Sequence, residues 1–226
     1  MKVSEPSVKL RIWDLPVRAF HWLLIPLMAF AWWSAKEGYL DWHRLTGYVL
    51  LALVLFRVIW GFVGSQTARF SNFLRGPAAI AAYFGKKNSS GEPGFGHNPI
   101  GGWSVLAMLA LIAVLIVLGL FAVDVDGIES GPLAVYVSFD AGRWASHAHE
   151  FVFNVLLGLI GLHILAIAFY AIFQRDNLVG PMITGSKTVN VLPSRAPAMA
   201  PLWRAVISLA VAAVIAYAVS QAFWLQ

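Results

Sequence analysis

Five apolar stretches in this chain are long enough to cross a lipid bilayer, and they decide what it can fold into. An α-helix rises about 1.5 Å per residue, so roughly 20 apolar residues span a hydrocarbon core about 30 Å thick. Hydrophobic residues make up 59% of the 226 residues and charged residues only 12%, whereas soluble domains carry about 25% charged residues. We therefore predict an integral membrane protein with helices over residues 19–34, 43–62, 103–123, 147–173 and 203–224.

The domain organisation follows from the position of these stretches. The first is short and contains Pro26, but no A-x-A-like cleavage site follows it, so we interpret it as a retained helix. Residues 71–87 mix apolar and basic side chains and predict a short interfacial helix, whereas residues 88–102 are rich in Gly, Pro and Asn and predict a loop. We expect an all-α membrane protein. Its parts are an N-terminal segment (1–18), a four-helix transmembrane bundle (19–174), a linker (175–202) and an accessory fifth C-terminal transmembrane helix (203–226).

Lysine and arginine are distributed unequally between the two sides of the predicted membrane. Cytoplasmic connections carry the excess of these residues, so we expect a cytoplasmic N-terminus and linker, a periplasmic C-terminus and a location in the bacterial cell inner membrane. The net charge of +5 reflects this bias and gives no reason to expect nucleic-acid binding. Twelve basic residues lie on the cytoplasmic side (Lys2, Lys9, Arg11, Arg18, Arg69, Arg75, Lys86, Lys87, Arg175, Lys187, Arg195, Arg204) and three on the other (Lys36, Arg44, Arg143).

The chain has no cysteine, which excludes several redox chemistries. Without thiolates there can be no disulfide, no cysteine-held iron–sulfur cluster and no covalent C-x-x-C-H haem attachment. A redox metal in this protein would have to be held by histidine, methionine or carboxylate side chains.

Four of the six histidines fall at two matched depths in the predicted membrane. His149 and His163 are fourteen residues apart on the fourth helix, which leaves them about 40° apart on one face and separates them by roughly 21 Å along the axis. His21 begins the first helix at its cytoplasmic end, and His43 begins the second helix at the opposite face. The topology therefore predicts two level pairs, His21 with His163 and His43 with His149.

Paired imidazoles from facing helices are typical axial ligands of a six-coordinate haem. Zinc is the rival metal, but a structural zinc site uses four protein ligands, and neither level adds a cysteine or a buried carboxylate. The other alternative is that intramembrane histidines are interhelical hydrogen-bonding groups or proton relays. Four histidines at two matched levels favour two non-covalent haems, ligated by His21, His163, His43 and His149.

Two glycines and one arginine lie where a haem would need them. Gly47 follows His43 by four residues and Gly161 precedes His163 by two, and glycine lets a flat macrocycle approach the backbone. Ordinary close helix packing is the alternative. Arg57 lies near the cytoplasmic level, where a haem propionate would pair its charge. Snorkelling of the Arg57 side chain to the inner interface explains its position equally well.

The remaining two histidines are predicted not to be ligands. His147 and His163 are sixteen residues apart, which places them about 160° apart on a helix, whereas His149 lies only about 40° from His163. We therefore expect His147 at the membrane interface. His97 lies in the Gly- and Pro-rich loop on the cytoplasmic side.

Four segments of the chain resemble the prokaryotic cytochrome b561 family, and the hydrogenase-type b-cytochrome branch looks closest. The segments are LRIWDLPVRAFHWLL, DWHRLTGYVLLALVLFRVIWGFVG, FLRGP with GHNPIGG, and HEFVFNVLLGLIGLH, and the resemblance covers about residues 10–185. It implies a four-helix bundle that holds two b haems. The family's haem ligands fall at His21, His43, His149 and His163, and an arginine near a haem falls at Arg57. The fifth helix departs from the minimal four-helix members.

Two haems near opposite membrane surfaces predict a relay of single electrons. Quinol oxidation releases two electrons, which two one-electron centres take in turn. We therefore expect ubiquinone or menaquinone on one side of the reaction and a periplasmic c-type cytochrome or other redox protein on the other. The outer connections suit a basic partner, because they hold three basic residues and seven acidic ones (Glu37, Asp41, Asp124, Asp126, Glu129, Asp140, Glu150).

Three other classes of function are open at this point, and with them the question whether the chain is itself an enzyme. The resemblance also allows a superoxide oxidase that passes electrons to ubiquinone, although superoxide capture favours a positive outer face and this one is acidic. The second class is a membrane-anchor cytochrome subunit of a larger oxidoreductase. A haem-free transporter or bare anchor would be recognised by the absence of b-type absorbance from the pure protein.

Overall fold

The structure is a computed structural model that describes residues 8–84, 96, 98–189 and 196–222. Five helices in these ranges are long and apolar enough to cross a membrane, which confirms the prediction of an all-α multi-pass membrane protein. The elements in chain order are β1 (Val8–Arg11), α1 (Leu15–Lys36), α2 (Leu40–Val63), α3 (Phe70–Phe73), α4 (Pro77–Phe84), α5 (Pro99–Phe121), a 3₁₀ turn (Ala134–Tyr136), α6 (Phe139–Phe173), α7 (Val179–Thr184), β2 (Ser186–Val189) and α8 (Leu202–Gln221). The membrane-spanning helices are α1, α2, α5, α6 and α8.

Helices α1, α2, α5 and α6 begin three to eight residues earlier than their apolar stretches predict. Helix α1 begins at Leu15 because Asp14 caps it: the Asp14 carboxylate accepts the Val17 N–H at 2.8 Å. Helix α6 begins at Phe139, eight residues before the predicted start, and Ser138 is its cap. The first two turns of α6 carry charged and polar side chains, so a search for apolar residues misses them.

The segment between α2 and α5 also differs from its prediction. In place of one interfacial helix over residues 71–87, the described part of this segment, up to residue 84, has the short helices α3 and α4, and residues 85–87 lie outside the described residues. Pro99–Gly102, predicted as loop, is the first turn of α5, and the Asn98 side chain caps it by accepting the Gly101 N–H at 2.6 Å.

The bundle is built from two helix pairs, α1 with α2 and α5 with α6, which meet through α2 and α5. A connection of three residues makes α1 and α2 antiparallel, whereas residues 122–138 join α5 to α6. Helix α8 packs along α2 with a stripe of buried small residues, Ser208, Ala212 and Ala216. Small side chains at four-residue intervals let two helix backbones approach closely within a membrane, so the fifth helix lies against the second.

An apolar layer crosses the middle of the bundle. Leu50 lies seven residues after His43, and Leu156 lies seven residues from both His149 and His163, so the layer separates the two histidine levels. Leu156 is completely buried although most of α6 is exposed. The apolar cluster that contains these residues extends to His43 and His149, and its members are Ala31, Leu50, Val54, Leu109, Ile112, Leu115, Ile116 and Leu156.

A two-stranded antiparallel sheet, absent from the sequence-based prediction, joins the segment just before α1 to the segment just after α7. Strand β1 pairs with β2 in the register Val8↔Val189 to Arg11↔Ser186. Just before β2, Gly185 has φ +84°, and its carbonyl accepts the N–H groups of Ile12 and Trp13. A Cβ there would lie 2.8 Å from the Trp13 carbonyl oxygen, so this turn requires glycine.

The connection between α5 and α6 folds back over the end of α5. The Gly131 N–H donates to Ala122 O and the Leu133 N–H donates to Leu120 O, both at 2.8 Å. On the other side of the connection, Glu129 forms an ion pair with Arg44 of α2. These contacts hold the connection against the bundle, so that it covers the end of the helices.

We predict that Gly131→Ala destabilises the protein by about 1–3 kcal/mol, the usual cost of forcing an extra group into a packed site. The added Cβ would lie 2.6 Å from the Leu120 carbonyl carbon, in backbone that cannot rotate away. The measurement is the thermal unfolding midpoint in detergent. Gly76→Ala is the control, because a Cβ at Gly76 meets nothing within 4 Å. Equal midpoints for the two variants would mean that the connection does not pack as described.

Candidate cofactor-binding sites

The structure brings His43 of α2 and His149 of α6 together near one end of the bundle. Their ring centroids are 6.0 Å apart and their ring planes make an angle of 76°. Each Nδ1 lies 2.8 Å from a backbone carbonyl oxygen, Ala31 O for His43 and Leu115 O for His149. A carbonyl oxygen can only accept, so Nδ1 donates in both rings, and a neutral ring then has its lone pair on Nε2.

This arrangement fits two imidazoles that bind one iron from opposite sides. The bonds to the carbonyls of α1 and α5 fix the tautomer and orientation of each ring, as partners of metal-ligating histidines usually do. Two metal–imidazole bonds of about 2 Å, plus about 1 Å from each nitrogen to its ring centre, add up to roughly 6 Å. The observed separation agrees with this sum, and the rings meet at their edges rather than stacking face to face.

A cavity of about 530 Å³ opens beside this pair, lined by residues of α1, α2, α5 and α6. Its volume lies within the range of roughly 300–1,000 Å³ that is usual for cofactor pockets. Gly47 lines it, and a Cβ there would meet nothing within 4 Å, so a flat ring has room against the α2 backbone. Lys36, Arg44 and Glu150 also line the cavity, and Arg44 forms ion pairs with Asp41 and Glu129.

Gly119 of α5 belongs to this site and was missed by the sequence analysis. A Cβ there would lie 3.1 Å from the His149 ring, so glycine lets that ring approach α5 closely enough to reach Leu115 O. Nothing in the sequence near Gly119 points to a residue thirty positions away. The carbonyl acceptors of Ala31 and Leu115 were also missed. Every residue has a backbone carbonyl, so the residue type does not show which one accepts a hydrogen bond.

The second predicted pair, His21 of α1 and His163 of α6, lies toward the other end of the bundle. Both side chains are half-buried, and they are close enough to interact electrostatically. The Nδ1 atom of His21 is buried without a hydrogen-bond partner. Burying a polar nitrogen without a partner is costly, so this ring fits a site that a bound group completes. Gly161 lies two residues before His163, about 200° around α6, and it is exposed, so the open space at its Cβ position does not lie beside the His163 ring.

Arg57 lies in α2 with only 3% of its surface exposed. Its guanidinium carbon is 5.3 Å from the centre of the Phe70 ring and 6.0 Å from that of Phe73, within the range of cation–π attraction. One guanidinium nitrogen, Nη1, is buried without a partner. The side chain is therefore enclosed by protein instead of snorkelling to the surface, and it retains a donor suited to a carboxylate such as a haem propionate.

The other two histidines are placed differently. His147 is exposed, and its Nε2 atom is 3.5 Å from Arg143 of the same helix, whereas His149 turns toward α5. His97 lies outside the described residues. Within the ranges that the structure describes, no three His, Asp or Glu side chains cluster as metal ligands. Neither histidine pair is therefore surrounded there by the further protein ligands that structural zinc uses.

One comparison with known proteins identifies the family of this chain. A family model described as prokaryotic cytochrome b561 matches residues 12–185, which is 174 of the 226 residues. No curated protein and no solved structure matches the chain. The matched region runs from the residues just before α1 to the turn after α7, and it contains all four histidines of the two pairs. The chain therefore belongs to the prokaryotic cytochrome b561 family, whose b haems transfer electrons across membranes.

Proposed function

We propose that this protein relays single electrons through two b haems between the membrane quinone pool and a redox protein on the periplasmic side. The observation that carries the proposal is the convergence of His43 and His149. Two rings from different helices lie 6.0 Å apart, and each has its Nδ1 hydrogen engaged by a backbone carbonyl. A purely structural histidine would need its own partner but not a second imidazole at the distance of a shared metal.

The four histidines and two nearby residues would hold the two haems. Each haem, when bound, supplies an iron that gains and loses one electron reversibly. The buried Nη1 of Arg57 would donate to a propionate of the inner haem, and Gly47 would leave room for the flat ring of the outer one. His43 and His149 would hold the outer haem, and His21 and His163 would hold the inner one.

The apolar layer between the two sites would keep the two aqueous sides apart. The histidines on α6 are separated by roughly 21 Å along the helix axis, and the fully buried Leu156 lies midway between them. Packed aliphatic side chains leave no hydrogen-bonding path for water. Charge would therefore cross the bundle as electrons, without an accompanying leak of ions.

Charge on the connections supports the orientation and the partner of this relay. The excess of Lys and Arg on one side favours a cytoplasmic N-terminus in a bacterial inner membrane. On the opposite side Asp126 and Asp140 are exposed, and they would attract a basic c-type cytochrome. Residues 19–174 would form the di-haem unit, with the linker 175–202 on the cytoplasmic side and the fifth helix as an accessory.

A quinol suits the other side of the reaction. Ubiquinol or menaquinol is soluble in lipid and gives up two electrons, which two one-electron centres accept in turn. The two haems of one chain would therefore accept the two electrons of a quinol one at a time.

We predict that His149→Ala loses the outer haem or converts it to a high-spin form, because one axial nitrogen is removed. His147→Ala is the matched control, two residues away on the opposite face, and it should keep both haems in the low-spin state. Haem content and the visible spectra of the two purified variants decide the matter. Loss of haem in His147→Ala with retention in His149→Ala would reverse the assignment of the ligand.

We predict that Asp126→Asn with Asp140→Asn slows electron exchange with a basic c-type cytochrome by roughly two- to tenfold at low salt. Steering by exposed charges weakens as ionic strength rises, so the difference should disappear at high salt. Glu129 is left unchanged, because it binds Arg44 at the cavity. Stopped-flow rates give the measurement, and Asp176→Asn on the opposite face is the control. Equal rates at every salt concentration would place the partner elsewhere.

A further inference from the structure

A buried carboxylate connects the inner ends of α1 and α2. Asp14 is 4% exposed, and each of its oxygens accepts one hydrogen bond. One oxygen accepts from the Val17 N–H at 2.8 Å and caps α1, and the other accepts from the Trp60 indole N–H of α2 at 3.0 Å. Trp60 is completely buried and stacks on Phe56. The carboxylate is therefore held rigidly between two membrane-spanning helices.

Asp14 has a buried opposite charge nearby. Arg57 lies one turn along α2 from Trp60, is 3% exposed, and interacts electrostatically with Asp14. The rings of Phe70 and Phe73 lie against its guanidinium group. Both charges are shielded from solvent, so their fields extend into the bundle with little screening.

Both charges lie toward the same end of the bundle as the inner histidine pair. Asp14 precedes His21 by seven residues, which places the two about 20° apart on one face of α1 and roughly 10 Å apart along the axis. A fixed negative charge near a redox centre opposes its reduction, and a fixed positive charge favours it. Asp14 and Arg57 therefore act in opposite directions on any redox group held by His21 and His163.

We propose that Asp14 is a positioning residue that sets the reduction potential of the inner haem. It does so by adding its own negative charge and by offsetting the positive charge of Arg57. The inference rests on the proposed function, because it requires a haem between His21 and His163. An Asp is a costly way to make a helix cap at this position, since Ser, Thr or Asn would cap α1 without burying a charge. A role in balancing a second buried charge accounts for the carboxylate.

The test is a redox titration of the visible spectrum of the full-length protein and its variants. His163→Ala identifies the inner component by removing it. In Asp14→Asn the inner midpoint should rise, with the equilibrium constant for reduction increasing roughly tenfold, or about 59 mV for one electron. Arg57→Gln should lower the same midpoint, and the outer component should move little in either variant.

Two controls separate the charge from the hydrogen bond. Trp60→Phe removes the bond to Asp14 but keeps both charges, so its shift should be much smaller than that of Asp14→Asn. Asp140→Asn, at the opposite end of the bundle, should leave the inner midpoint unchanged. An unchanged inner midpoint in Asp14→Asn, or a shift no larger than that of Trp60→Phe, would overturn the inference.

A double variant covers the case in which Asp14→Asn does not fold. Asp14→Asn with Arg57→Gln removes both buried charges, and its inner midpoint should lie above that of Arg57→Gln alone. Equal midpoints in these two proteins would show that the Asp14 charge has no influence. A wild-type protein without an inner b-type component would contradict the proposed function itself, which is a different result from an unshifted midpoint.

Discussion

The hydrogen bond between a histidine Nδ1 atom and the carbonyl of a neighbouring helix is the interaction on which the candidate outer site depends. A polar ring inside a membrane protein needs a partner for its N–H group. His43 finds it at Ala31 O in α1, and His149 finds it at Leu115 O in α5. Each bond fixes one ring and leaves the lone pair of a neutral imidazole on Nε2, the atom that we propose binds the haem iron. Residues of all four bundle helices thereby surround one site. Gly47 leaves room against the α2 backbone, and Gly119 lets the His149 ring approach α5.

Buried charge organises the inner end of the bundle in a comparable way. Arg57 is enclosed by Phe70 and Phe73, and Asp14 is fixed by Trp60. Asp14 follows β1 by three residues, where β1 and β2 tie the N-terminal segment to the segment that follows α7. The small sheet and the cap of α1 therefore hold the carboxylate that we assign to the electrostatics of the inner site. Helix α8 packs along α2 from outside the four-helix unit and so helps to hold α2 in place.

Hydropathy and helix geometry predicted the spanning helices, because a bilayer core imposes both length and apolarity. They also predicted which histidines share a level, since the rise per residue is nearly constant. The first turns of α6 escaped the prediction because polar residues such as Asp140 and Arg143 extend that helix beyond the apolar part. The start of α1 could have been recognised from Asp14 followed by Pro16, a usual sign of a helix N-terminus. The pairing of β1 with β2, and the fit of Gly119 to His149, depend on residues distant in sequence and could not be read from local patterns.

We propose that two b haems in this chain carry electrons between quinol and a periplasmic acceptor. The decisive experiment is a redox-titrated visible spectrum of the purified protein, repeated with added quinol. We expect two resolved low-spin b-type components, both reduced when quinol is added. A protein without b-type absorbance would contradict this function altogether, and reduction by superoxide but not by quinol would contradict the quinone link.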